Sequence, residues 1–323
     1  MKGPFVMAVD VGVSNVKAAL IDRHANLAFR ERRDLDLEQG QSVVARELVE
    51  ACRGVLNAAD LTTRDVKAVG CAMPGCVHPE DGVVVASATQ FWLGVDVRAP
   101  LEAAFERPVH IEGDGNAAAI AAYHFGPTQG QNHLLGLNIG TGINCGFILN
   151  GKPLRGSGQA AMEAGHMPLF ADGKDCSCGR KGCWEAHAGG GALRRLLADA
   201  RAQGQPLPEL PENLADRARS GDSAAIKIWS QQGEILGLGL AVLLNVLNPK
   251  SVVIGGGFAE SWSLFRSSMI KTARGRSLGR NAESAMICFQ EPETMSLLGV
   301  AAAASAAQGR ADFFVDAPGL IGR

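Results

Sequence analysis

The sequence lacks an excess of charge of either sign, because its 31 lysines and arginines nearly balance its 33 aspartates and glutamates. The formal net charge of −2 gives no general attraction to nucleic acid. One basic run, KTARGRSLGR at 271–280, could form a local anion site, but a solvated helix end or loop is the more ordinary interpretation. We therefore expect no nucleic-acid partner.

Long hydrophobic runs are also missing. The longest, LGLGLAVLLNVL at 236–247, contains Asn245 and is too short to span a bilayer, which takes about twenty residues. The N-terminal apolar stretch is short and is interrupted by Asp10, so it does not resemble a signal peptide. We expect no membrane partner and a cytoplasmic location, where cysteines are usually thiols or metal ligands.

The length and the apolar content suit a folded protein with a substantial core. A length of 323 residues fits two domains or one large divided fold, and 46% apolar residues can form a substantial core. Predicted strands and helices alternate, which indicates the α/β class. Apolar spacing predicts helices over 41–59, 223–249 and 295–308, a buried strand over 66–75, and a strand over 82–88. The segment 250–260 is predicted as a strand that runs into a glycine triplet.

Three turns are built from small residues that allow backbone N–H groups to approach an anion: DVGVSN at 10–15, GTG at 140–142 and GGG at 255–257. The first two each lie between the strands of a predicted hairpin. None of the three matches a P-loop or a dinucleotide-binding fingerprint, and each alone could be a simple tight turn. Asp10 beside the first turn suits Mg²⁺ bound together with phosphate, although it could merely cap the turn.

A fourth motif, EAGHMPLFADGKDCSCGRKGCWEAHAGG at 163–190, holds three of the eight cysteines together with two histidines and two glutamates. It could be a metal site, a redox centre or part of a catalytic pocket. A redox role would favour C-x-x-C over the C-x-C found here, and a disulfide across C-x-C would be strained. The other cysteines lie in apolar surroundings typical of small core residues: Cys52, Cys71, Cys76, Cys145 and Cys288.

On these motifs the sequence resembles the ROK family (repressor, open reading frame, kinase) over nearly its whole length. The motifs that carry the resemblance, in chain order, are DVGVSN, GDGNAAA, NIGTGINCGFILNGK, EAGH, CSCGRKGCWEAHAGG and VVIGGG. The resemblance implies an actin-like, ribonuclease H-like ATPase fold with a cleft between two domains. It implies a small N-terminal domain of residues 1–117 plus about 305–323, and a large C-terminal domain of residues 118–304 that carries a zinc-binding loop.

The resemblance further implies an ATP-dependent hexose kinase that phosphorylates the 6-hydroxyl. Asp114 matches the family's catalytic base, although it could instead cap the helix that follows GDGN. The sugar-binding positions fall on Gln90, Glu163, His166 and Glu185, and structural zinc falls on His166, Cys176, Cys178 and Cys183. The positions implied for ATP and Mg²⁺ are Asp10, Gly12, Ser14, Asn15, Lys17, Gly140, Thr141, Gly142, Gly255, Gly256 and Gly257.

The sequence departs from the family pattern on the sugar side. Gly113 stands where the family has an asparagine that binds ring hydroxyls, so a hydroxyl loses its partner or the pocket gains room. Met162 stands where a glycine is common, and ATQFW at 88–92 replaces the usual Pro-Asn segment. These changes point to a hexose other than glucose, such as allose, an amino sugar or a ketose.

Two other functions compete with the kinase, and the first of them is disfavoured. A sugar-responsive repressor of the same family would carry an additional N-terminal helix-turn-helix, for which the first hairpin, starting within ten residues of Met1, leaves no room. A sugar- or ATP-binding module without turnover is the other alternative, because of Gly113. By analogy with the family we expect a homodimer or homotetramer.

Overall fold

The computed structural model describes residues 3–283, 285–289 and 292–314. The chain forms two compact units, the first from the described residues of Met1–Asn132, Gly146–Met162 and Glu293–Arg323, the second from those of His133–Cys145 and Glu163–Pro292. The domain boundaries expected at 117 and 304 stay predictions. Of the tail expected to join the N-terminal domain, residues 315–323 lie outside the described part of the chain.

The first unit contains a five-stranded sheet. Its strands are β1 (Phe5–Val11), β2 (Asn15–Ile21), β3 (Leu27–Asp34), β4 (Val66–Met73) and β7 (Val109–Gly113). They lie in the order β3-β2-β1-β4-β7, with β1 antiparallel to β2 and parallel to β4. The β1–β2 pair confirms the first predicted hairpin. The edge strand β3 was not predicted, because its ERRD end alternates charges toward solvent instead of forming an apolar run.

Helices cover this sheet. The helices are α1 (Ser42–Ala59), α2 (Arg98–Phe105), α3 (Asp114–His124) and α10 (Pro292–Ala307). Their apolar faces are buried against the sheet, as in α1, where Val44, Leu48, Ala51 and Val55 recur at helical spacing and are all fully buried. A small separate hairpin of β5 (Cys76–His78) and β6 (Val83–Ala86) follows β4.

The second sheet also has five strands: β8 (His133–Ile139), β9 (Ile143–Leu149), β10 (Lys152–Pro153), β11 (Ser251–Gly255) and β12 (Met286–Phe289). Their order is β10-β9-β8-β11-β12. The central pair β8 and β11 is parallel, with Leu134 opposite Ser251 and Asn138 opposite Gly255. All of β11 is buried, as expected for a parallel strand covered on both faces.

The second unit also contains the helices α4 (Trp184–His187), α5 (Gly190–Ala202), α6 (Pro211–Arg219), α7 (Ser223–Leu247), α8 (Trp262–Arg276) and α9 (Arg280–Glu283). The helix α7 begins after an Asp222 N-cap and ends at Asn248, just before Pro249, which confirms the predicted long helix. It lies close to α8 because Gly237 leaves space for the Met269 carbonyl, only 2.5 Å from where a Cβ would stand. The basic run at 271–280 covers the end of α8 and the turn after it.

Within the described ranges, no helix is both long enough and apolar enough to cross a membrane.

Candidate functional site

Asp114 is the first residue of α3. Gly113 ends β7 and occupies the N-cap position, so the separate turn predicted for GDGN does not form, and the interpretation of Asp114 as the N-cap is wrong. The Oδ1 atom of Asp114 accepts a hydrogen bond of 2.8 Å from the N–H of Gly115. The positive end of the helix favours a negatively charged carboxylate here, which is the form that a general base requires.

Gly113 is enclosed by backbone. A Cβ atom at this position would stand 2.6 Å from the carbonyl oxygen of Gly75, which follows β4 in a left-handed conformation with φ of 93°. The space beside residue 113 is therefore filled by main chain, so at this point the change from asparagine to glycine opens no room.

The first predicted phosphate turn connects β1 and β2. The N–H of Gly12 donates to the Asn15 carbonyl at 2.8 Å, and the Asn15 side-chain amide donates to Ser14 Oγ at 3.0 Å. Asp10 stands opposite Lys17 in the hairpin. Burial raises the pKa of Asp10, and the charge of Lys17 only partly opposes this. A part-buried carboxylate with incomplete charge compensation fits a divalent cation, which would supply the missing positive charge.

The second predicted phosphate turn, Gly140 to Gly142, is fixed by the start of α5. Gly190 and Gly191 each donate a backbone hydrogen bond of 2.8 Å, to the carbonyls of Gly140 and Thr141 respectively. A Cβ on either glycine would come within 2.9 Å of these carbonyls. Sequence reasoning missed this role, although the glycine triplet at 189–191 was a visible signal of close backbone approach.

A cavity of about 440 Å³ in the second unit is lined by Gly140, Thr141 and Gly257, within the size range of small-molecule sites. Of the predicted glycine triplet, Gly255 ends β11, and Gly256 packs against the carbonyl of Ile139. Ion pairs at the cavity join Arg194 to Glu212 and Arg219 to Asp216, and its other lining residues are Gly190, Pro211, Ala215, Trp229, Phe258, Glu260 and Ser261.

His166, Cys176, Cys178 and Cys183 form a cluster whose potential ligand atoms all lie within 4.8 Å of one another. The sulfurs of Cys178 and Cys183 are 3.7 Å apart, and Cys176 Sγ lies 3.6 Å from His166 Nδ1. Tetrahedral zinc with bonds of about 2.3 Å to sulfur and about 2.0 Å to nitrogen would separate such pairs by about 3.8 and 3.6 Å. The four predicted ligands thus have a geometry that fits zinc.

The electrostatics of the three thiols support the same fit. Burial, followed by the neighbouring Cys178 and Cys176 thiols, raises the pKa of Cys183 to about 12. Three thiolates gathered at one point repel one another unless a cation is bound between them, so this donor set suits a dication.

The loop carrying the cysteines is held by local backbone bonds. Cys176 donates to the Arg180 carbonyl at 2.8 Å, and Gly179 provides the left-handed residue of the turn with φ of 81°. His187 lies outside the ligand set: its Nε2 accepts a hydrogen bond of 3.0 Å from the N–H of Lys174, and its ring packs 4.2 Å from that of Phe170. His187 therefore supports the loop.

His166 also joins the two predicted sugar-binding glutamates. Its Nε2 lies 3.7 Å from Glu163 Oε2, and its Nδ1, the nitrogen facing Cys176, lies 3.7 Å from Glu185 Oε1. The two ring nitrogens thus face different groups: Nε2 faces Glu163, and Nδ1 faces Cys176 and Glu185. The second oxygen of Glu185 accepts a hydrogen bond of 3.2 Å from the N–H of Ile143, next to the second phosphate turn.

The predicted site residues divide between the units. The first hairpin, Gln90 and Asp114 belong to the first unit, whereas the turn Gly140 to Gly142, the triplet Gly255 to Gly257 and the cluster around His166 belong to the second. Gln90 begins a short 3-10 turn and is exposed. Its role in sugar binding stays a prediction.

Comparisons with known proteins all point to one family. The sequence profile of the ROK family matches residues 6–307. The chain is 29% identical to a glucokinase from Thermotoga maritima over 267 residues, which cover 79% of this chain and 83% of the relative. It is 26% identical over 268 residues to the xylose repressor of Bacillus subtilis, covering 83% of this chain and 68% of the repressor.

Among solved structures, a ROK glucokinase from Streptomyces griseus in complex with glucose and AMPPNP superposes with a TM-score of 0.80 at 25% identity. The match covers 94% of this chain and 99% of the glucokinase. This likeness confirms the fold class predicted from the sequence, an α/β fold of the actin-like ATPase type.

Proposed function

The chain belongs to the ROK family, and from that premise we propose that it is an ATP-dependent hexose kinase that transfers the γ-phosphate of ATP to the 6-hydroxyl of a hexose. The observation that carries the proposal is the placement of Glu185, whose two oxygens face His166 on one side and the N–H of Ile143 on the other. A polyol-binding group thus lies directly beside a turn suited to phosphate, which is the juxtaposition that a sugar kinase needs.

In this proposal the glycine turns bind the phosphates of ATP, and the cavity beside Gly140, Thr141 and Gly257 receives the nucleoside. Asp10 would hold Mg²⁺ at the first hairpin. When bound, the cation neutralises charge that develops on the transferring phosphoryl group. Ser14, Asn15 and Lys17 would contact the phosphates from the same hairpin.

Asp114 would act as the general base. A carboxylate at the start of α3 can accept the proton of the attacking hydroxyl, and the positive end of the helix favours negative charge at this position. Glu163, His166, Glu185 and Gln90 would orient the sugar hydroxyls through charge-assisted and polar hydrogen bonds.

Zinc would have a structural role. His166, Cys176, Cys178 and Cys183 supply four protein ligands, which leaves no open position for substrate. The metal would fix the loop that leads to Glu185 and would orient His166 by occupying one ring nitrogen.

The preferred sugar is proposed to differ from glucose. The backbone of Gly75 takes the place where a side chain at position 113 would begin, so one hydroxyl lacks the amide partner that the family motif provides. Allose, an amino sugar or a ketose are the candidates. We also keep the expectation of a homodimer or homotetramer as part of the proposal.

One alternative has a specific observation in its favour. The missing side chain at Gly113, together with the likeness to a xylose repressor, suits a module that binds a sugar without phosphorylating it. Turnover distinguishes the two functions.

The experiment is ADP release from Mg-ATP with glucose, allose, mannose, fructose, N-acetylglucosamine and N-acetylmannosamine, with sugar binding measured in parallel by calorimetry. The kinase proposal expects one sugar to drive ADP release. Sugar binding with no ADP release would establish the binding module, and a clear preference for glucose would refute the proposal about specificity alone.

A further inference from the structure

Glu112 is a fully buried carboxylate two residues before Asp114, with none of its surface exposed. A buried carboxylate is costly unless it is paired and hydrogen-bonded. Glu112 is both: it forms an ion pair with Arg155 and lies 3.6 Å from Nε2 of His110. Burial alone would raise the pKa of Glu112, but the nearby His110 and the charge of Arg155 hold it below its ordinary value.

Glu112 accepts hydrogen bonds from residues that precede and follow the proposed base, Asp114, in the sequence. Its Oε1 accepts from the N–H of Gly113 at 3.2 Å and from the side-chain amide of Asn116 at 3.1 Å. These two donors stand on either side of Asp114, one before it and one after it in the chain. The carboxylate therefore fixes the first turn of α3, where the direction of the Asp114 side chain is set.

Arg155 completes this arrangement from the segment that follows β10. Its guanidinium binds Oε2, the oxygen that Gly113 and Asn116 do not use. Its own carbonyl accepts a hydrogen bond of 3.0 Å from Ala161, which closes the segment on itself. Arg155 thus presents a fixed positive charge to a carboxylate that water cannot reach.

We propose that Arg155 and Glu112 are positioning residues for Asp114, with Arg155 holding the Glu112 carboxylate so that this carboxylate can hold the first turn of α3. The inference rests on the proposed function, since it concerns the base of that reaction. Neither residue touches the reacting atoms; both act through the backbone and through Asn116.

The test compares Arg155→Ala with Arg107→Ala. Arg107 is a matched control: it is also part-buried in the first unit, but it binds the backbone carbonyls of Phe105, Val66 and Thr63, away from α3. Loss of either arginine should lower the thermal midpoint. Only Arg155→Ala should lower kcat, by about 100-fold if the base is misplaced by about an ångström, with little change in the KM for ATP.

Chemical rescue separates positioning from general destabilisation. Methylguanidine should restore part of the kcat of Arg155→Ala and should leave Arg107→Ala unchanged. If Arg155→Ala does not fold, Glu112→Gln, which keeps the shape of the side chain, provides the second test and should also lower kcat. Equal kcat losses in the Arg155 and Arg107 variants, or unchanged kcat in Glu112→Gln, would overturn the proposal.

Amide hydrogen exchange of the segment 113–118 gives a readout that does not depend on turnover. Exchange should be faster in Arg155→Ala than in wild type and should be unchanged in Arg107→Ala. If the wild-type protein phosphorylates no sugar, the kinase proposal fails, while this exchange pattern still supports the hold of Arg155 and Glu112 on the first turn of α3. Unchanged exchange in Arg155→Ala would overturn that role of Arg155 whatever the activity.

Discussion

Glu185 Oε1 lies 3.7 Å from His166 Nδ1, and the other carboxylate oxygen of the same side chain accepts a hydrogen bond from Ile143. Gly142, the last residue of the second proposed phosphate turn, leaves the space for this contact, because a Cβ there would stand 2.5 Å from Glu185 Oε2. One side chain therefore joins the proposed zinc site to the proposed phosphate turn. The metal should consequently influence nucleotide binding as well as sugar binding.

Cys178→Ser tests this connection. We expect the variant to lose its bound zinc and to lose at least about tenfold in activity, with KM raised for both ATP and sugar, because Glu185 and His166 are no longer fixed. Metal content by elemental analysis and steady-state kinetics measure these effects. Cys288→Ser, which changes a thiol on β12 outside the cluster, should keep zinc and activity. Full activity in a zinc-free Cys178→Ser protein would contradict the account.

Gly113→Ala tests whether the backbone of Gly75 excludes a side chain. The added methyl would meet the Gly75 carbonyl, so we expect a loss of about 1–3 kcal/mol in the free energy of unfolding, measured by urea denaturation. Gly275→Ala is the control, because a Cβ at Gly275 in α8 meets nothing within 4 Å. That change should be neutral or stabilising by up to about 1 kcal/mol. Equal stability of Gly113→Ala and wild type would mean that the Gly75 backbone yields easily.

Met162 is strained where the family pattern has glycine. Its φ of 72° is left-handed, a conformation that costs an L-residue about 1–2 kcal/mol relative to glycine. Met162→Gly should therefore be as stable as wild type or more stable. Met167 has a φ of −60°, so Met167→Gly should be destabilised. Calorimetric melting should separate the two variants by about 1–2 kcal/mol, and the reverse order would show that the Met162 side chain contributes more through packing than its backbone loses.

The pH dependence of stability should contain a contribution from Glu112. Its pKa is lower in the folded protein than the ordinary value of 4.5, so the folded state binds this proton more weakly than the unfolded chain. The resulting stabilisation is complete above pH 4.5 and is lost as the pH falls through the folded pKa. Urea midpoints below pH 4.5 should decline less steeply for Glu112→Gln than for wild type.

Other carboxylates contribute equally to the acid slopes of Glu112→Gln and wild type. The pKa values of Glu47, Asp65 and Asp222 are also lowered in the folded protein, but these groups are common to both proteins. Identical acid slopes for the two proteins would show that Glu112 gains nothing from Arg155 and His110.

Features set by local spacing could be predicted from the sequence. The turns at 12–14 and 140–142 were visible as small residues between apolar runs, and the cluster of His166 with three cysteines lies within one short segment. At GDGN the glycines suggested a turn, but Gly113 is itself a helix N-cap, so strand and helix join directly.

Features set by tertiary packing could not be predicted. Arg155 and Glu112 are 43 positions apart, and nothing in either local sequence shows that the carboxylate is buried or that this arginine is its partner. The role of Gly190 against Gly140 depends likewise on how α5 meets the hairpin. The enclosure of Gly113 by Gly75 argues against one of the two alternatives expected from the sequence, a pocket with more room, because only the fold shows which backbone occupies the space.

The most direct test of the central claim is transfer of radiolabelled γ-phosphate from Mg-ATP to the preferred sugar, in a single turnover, by wild type and by Asp114→Asn. The account predicts a labelled sugar phosphate with wild type and a rate lower by about 10²–10⁴-fold with Asp114→Asn, while sugar affinity is retained. Equal rates of transfer by the two proteins would show that Asp114 is not the base, and absence of any labelled sugar with wild type would contradict the kinase function itself.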